Sequence, residues 1–178
     1  MAKIKSSIEL AMEKTMNFRL SREEKEMLQE EEIHSRAMGL VNRFLDMDLH
    51  FREVQKELAK YESDQRAQIE RIMFRYLREA IHVDRDNSLI LEGIEKLRPE
   101  SRSLTASIQD LVKSYQAQRD RELEKISGHL RTRLEKTGIS GSAVVPKVMG
   151  SPEWETALAS FKPPFEKRLQ DFLSKLDG

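Results

Sequence analysis

The sequence predicts an all-α protein: an elongated antiparallel helical hairpin or bundle built from coiled-coil-like long helices, with a short helical C-terminal cap. Three observations carry this expectation. Apolar residues from Ile33 to Tyr61 recur at alternating steps of four and three, the spacing of a heptad seam. The chain has 7 Gly and 5 Pro in 178 residues, and glycine is thus about half its usual ~7%. Charged residues make up 35% and aromatic residues only 6%, a composition that suits long solvated helices.

Glycine and proline are also unevenly placed. No proline precedes Pro99, whereas four prolines and four glycines lie from residue 138 onward. This divides the chain into a long-helix body (1–137), a flexible linker (138–151) and C-terminal short helices (152–178).

The elements follow in order. Ser6 and Glu9 fit a capping box for a short N-terminal helix carrying Ile4, Ile8, Ala11 and Met12, and Ser21 with Glu24 fits a second. The latter opens a long helix expected over about 21–81. Its stripe is Ile33, Ala37, Leu40, Phe44, Met47, Phe51, Val54, Leu58 and Tyr61. Of these, Leu40, Phe44, Met47, Phe51, Val54 and Leu58 are the candidate core or dimer seam. The polar stretch 62–68 reads as a turn or as a polar layer within that helix. As a single helix, residues 21–62 would span about 63 Å. A compact chain of this length has a radius of gyration of only about 16 Å. Residues 82–87 read as a turn, with Asn87 or Ser88 capping a short helix that stops before Pro99. A second long helix is expected over about 103–137, with Gly138 at its end. Val144, Val145, Val148 and Met149 imply that the linker rests on something. Pro152 opens one short helix with Trp154, Leu158 and Phe161, and Pro163–Pro164 opens another with Phe165, Leu169, Phe172, Leu173 and Leu176.

Composition excludes several function classes. With no Cys there is no disulfide scaffold, thiolate zinc site or cysteine nucleophile. No run of about 18 apolar residues exists to span a bilayer. The first residues lack a signal-peptide h-region, and Glu9 and Glu13 disfavour a transit peptide, so a cytoplasmic location is expected. Lys plus Arg and Asp plus Glu are both 31, which gives no global pull toward nucleic acid. Residues 21–62 hold 11 acidic and 7 basic side chains, and residues 99–137 hold 6 and 8. The cations Arg119, Arg121, Lys125, Arg131, Arg133 and Lys136 are interleaved with Asp120, Glu122, Glu124 and Glu135, which argues against a phosphate-binding face.

Two Glu-x-x-His pairs, Glu31/His34 and Glu79/His82, match half the ligand pattern of carboxylate-bridged di-metal bundles. They define the alternative reading, a small helical metalloprotein. Glu is abundant here, Glu31 and His34 lie off the main stripe, and His82 sits at the edge of an expected turn. Asp46, Asp48, His50 and Glu53 read as a solvated flank. Gly138-Ile139-Ser140-Gly141 reads as a helix-ending linker. The expectation is therefore a non-enzymatic interaction or scaffold protein without a cofactor, self-associating through the apolar seam. Residues 4–14 and 143–149 are the expected contacts for an unidentified protein partner. A helical chaperone or nucleic-acid accessory factor is the remaining alternative.

The opening residues Met1-Ala2-Lys3-Ile4-Lys5-Ser6-Ser7-Ile8-Glu9-Leu10-Ala11-Met12-Glu13-Lys14-Thr15, followed by Leu20-Ser21-Arg22-Glu23-Glu24-Lys25, carry a resemblance. This N-terminal element resembles that of a family of uncharacterised bacterial helical proteins, which begin Ile-Lys-Ser…Glu-Lys-Thr and continue Leu-Ser-x-Glu-Glu-Lys. The resemblance covers about 25 residues. It implies a bacterial cytoplasmic setting and no particular chemistry.

Overall fold

The computed structural model describes residues 21–141 and 144–176. The expected N-terminal helix, its capping box at Ser6 and the partner segment 4–14 lie outside the described residues. The described chain is all-α. Its helices are α1 (Arg22–Leu45), α2 (Phe51–Leu58), α3 (Ser63–Glu79), α4 (Ser88–Leu97), α5 (Arg102–Lys136) and α6 (Pro152–Leu176), with a 3₁₀ turn at Pro99–Ser101.

The helix expected over 21–81 is three helices. It opens on the capping box read from the sequence: the Ser21 hydroxyl accepts from Glu24 N–H at 3.1 Å, and the Glu24 carboxylate accepts from Ser21 N–H at 2.7 Å. The first break falls at residues 46–50. Asp46 and Asp48 favour local backbone hydrogen bonding over helix continuation, and Met47 takes a left-handed φ of 61°. Leu49 N–H returns to the Arg43 carbonyl at 3.0 Å, and the Glu53 side chain accepts from His50 N–H at 3.0 Å to start α2. The second break falls at residues 59–62. Of the two readings of the polar segment 62–68, the turn is the nearer: the chain turns just ahead of it, and Ser63 onward forms the first turns of α3.

Breaking the stripe lets it fold onto its own chain. Leu40, Phe44, Phe51, Val54 and Leu58 are all buried in one core with α3, α4, the first half of α5 and the end of α6. Met47 is the exception at 78% exposed. The turn removes it from the helix that would have aimed it inward. The seam is thus the core of a single chain and not a continuous face for a partner.

Helix α1 packs on α3, α3 on α4, and α4 on α5. Gly93 marks a close crossing: a Cβ there would lie 2.8 Å from the Phe44 ring and 2.9 Å from a Leu77 methyl. The turn before α4 is organised by Asn87, which is 3% exposed. Its side chain accepts from His82 N–H at 3.1 Å and donates to the carbonyls of His82 (2.7 Å) and Arg85 (3.0 Å).

Helix α5 pairs most extensively with α6. The pairing is antiparallel: Arg133 bonds Glu153 at 2.8 Å, Tyr115 meets Phe161 at 5.8 Å between ring centroids, and Arg98 donates to the Leu176 carbonyl at 3.1 Å. The C-terminal part is not a cap of two short helices. Helix α6 runs unbroken through Pro163 and Pro164, which leaves the carbonyls of Ala159 and Ser160 without i+4 donors. Apolar contacts on both sides of the prolines hold it, with Trp154 before them and Leu169, Leu173 and Leu176 after them buried. Toward the far end of this hairpin, Ile126, Leu130 and Trp154 form a smaller, separate cluster.

Candidate interaction site at the Met47 turn

The 46–50 turn stands beside a groove of about 470 Å³. Phe44 and Phe51 form its buried floor, meeting edge to face at 5.5 Å between ring centroids. Leu49 and Leu89 are half-buried along it. Arg52, Glu92 and Lys96 stand exposed around it, as does His50. Helix α2 supplies Arg52 and Phe51, α4 supplies Leu89, Glu92 and Lys96, and the turn supplies Met47 and Leu49. Met47 was read from the sequence as a seam residue. Leu49, Leu89, Arg52 and Lys96 were missed, because they meet only once the helix breaks and α4 folds alongside. The Asp-Met-Asp run was the available signal for that break.

The Glu-x-x-His pairs do not assemble a ligand set. His34 Nε2 lies 2.8 Å from the Tyr76 hydroxyl, with the two rings edge to face. Glu79 and His82 line a different cleft of about 470 Å³ between the 81–84 turn and α6. Among the described residues, no three His, Asp or Glu side chains are grouped to hold a metal ion. That cleft contains an ion-pair group: Lys162 Nζ lies 2.9 Å from Asp84 and 3.4 Å from Glu166. The hydrogen bond from Lys162 holds the Asp84 carboxyl below the usual aspartate range and raises the Lys162 ammonium. Asp84 and Lys162 are far apart in sequence, and no spacing signal links them.

Other apolar side chains also stay in solvent. Met27 and Leu28 are exposed in the first turns of α1, where every residue from 23 to 32 is exposed. In the α5–α6 connection Ile139, Val145 and Met149 are exposed, while Val144 is half-buried and Val148 packs against the Ile126–Leu130–Trp154 cluster, so the segment rests in part on the hairpin. Residues 142 and 143 lie outside the described residues. No described helix is long and apolar enough to cross a membrane. No protein-family model, curated protein or solved structure matches the chain.

Proposed function

We propose that this chain is a non-enzymatic helical interaction or scaffold protein that self-associates, in a bacterial cytoplasmic setting. The observation that carries the reading is the distribution of exposed apolar side chains. Most large apolar residues are packed into the two clusters, yet Met27 and Leu28, Met47, and Ile139, Val145 and Met149 stand in solvent on three separate outer segments. Exposed apolar side chains mark contact sites for other molecules where they gather into a contiguous patch. The original route to self-association, the heptad seam, is occupied by the chain's own core, so association uses outer surfaces instead. Light scattering coupled to size exclusion tests the reading. The expected outcome is a mass that rises with concentration. A mass of one chain up to millimolar concentration removes self-association.

A further inference from the structure

The Met47 turn combines a projection and a recess. Met47 projects at 78% exposure, from a left-handed backbone conformation that a side-chain-bearing residue seldom takes. The heptad pattern wants an apolar environment at this position, and the fold denies it one. At its foot lies the apolar groove floored by Phe44 and Phe51. Charges divide between the two features. Asp46 and Asp48 flank Met47, while Arg52 and Lys96 flank the groove, with Glu92 one turn from Lys96. Among the described residues none of Asp46, Asp48, Arg52 and Lys96 is in a salt bridge.

We infer that this turn is a self-recognition surface: in a two-fold pair, each copy's Met47 enters the other's groove, with Asp46 and Asp48 set against Arg52 and Lys96. A two-fold contact requires one patch to be complementary to itself. An apolar projection with an acidic collar, next to an apolar recess whose two cations, Arg52 and Lys96, outnumber its one carboxylate, Glu92, meets that requirement. Methionine suits the role because its unbranched thioether adapts to an irregular recess. The opposed charges fix orientation and make pairing sensitive to salt. This inference rests on the reading of the chain as self-associating and names the surface that does it.

The experiment is sedimentation equilibrium at low ionic strength, with circular dichroism melts of each variant as a check on folding. The wild-type chain is expected to approach the mass of two copies as concentration rises. Met47→Asp should weaken pairing by about tenfold or more, since it places a carboxylate in an apolar recess. Met47→Gly separates association from folding, because glycine fits the left-handed backbone: its melting temperature should rise while its pairing weakens. D46K/D48K and R52E/K96E should each be monomeric alone, because projection and recess then carry like charge. Mixed together they should pair again, because both reciprocal contacts become complementary. If wild type associates but Met47→Asp and the charge-reversed chains associate equally well, this surface is wrong and another one mediates pairing. If wild type stays monomeric up to millimolar concentration, self-association itself fails.

Discussion

At the scale of single residues, Met47 and Asn87 sit in two turns held in different ways, one by the packing around it and one by its own side chain. Met47 occupies a left-handed conformation in which the Cβ of an L-residue crowds the following carbonyl. Tertiary packing on both sides of the turn sustains it. Asn87 stitches the 82–87 turn with three hydrogen bonds from a nearly inaccessible position. Asn87→Ala would strand the His82 N–H and two carbonyls. It is expected to cost about 1–3 kcal/mol, measured as a lower denaturant midpoint at unchanged slope. Asp84 gives a pH dependence. Its folded-state carboxyl is held low, first by the hydrogen bond from Lys162, so the unfolded chain takes up a proton more readily as pH falls. The pair's stabilisation is therefore present above the unfolded aspartate range near ~4 and fades as pH drops through the depressed folded value. Lys162 is raised, so its contribution holds below the ordinary lysine range and is lost as pH climbs through the folded value. The pair is partly solvated, with side chains 27% and 48% exposed, so the effect is modest. Asp84→Asn should reduce stability at neutral pH and reduce it less in acid. Parallel stability–pH profiles for the two proteins would contradict this.

At the scale of elements, the deciding feature is the crossing at Gly93. Helix α4 brings its backbone against the Phe44 ring and Leu77 with no room for a methyl group. Gly93→Ala gains helix propensity but forces both neighbours to move. Overpacking of this kind costs about 1–3 kcal/mol, against a propensity gain of about 1 kcal/mol, so net destabilisation is expected. A chemical-denaturation midpoint at or above that of the parent would show that the crossing is looser than its geometry. Arg98 secures the same region from the other side. Its guanidinium lies 3.7 Å over the Phe74 ring and donates to the Leu176 carbonyl. It therefore ties α3 to the C-terminal end of α6, where a cation also complements the helix dipole.

At the scale of the whole molecule, burial is unequal along the α5–α6 hairpin. One end contributes Ile108, Leu111, Val112 and Tyr115 to the large core, while the other holds only Ile126, Leu130 and Trp154 and their neighbours. Local opening follows the density of buried apolar contact. Amide hydrogens of residues 122–136 and 152–158 should exchange well before those of 104–115 and 165–173. Uniform protection along the hairpin would mean that it opens only with the rest of the molecule.

Helix content, the caps at Ser21 and at Gly138, the second long helix and most of the buried positions could be read from residue order alone, because capping and apolar periodicity act over a few residues. The same periodicity misled on length. A heptad does not state whether its seam faces a partner or its own chain, and here two turns that local spacing barely signals fold it inward. The Met47 groove, the Lys162–Asp84–Glu166 group and the unbroken helix through Pro163 and Pro164 came only from the tertiary structure. Each depends on surfaces brought together from distant parts of the chain, where burial outweighs local preference.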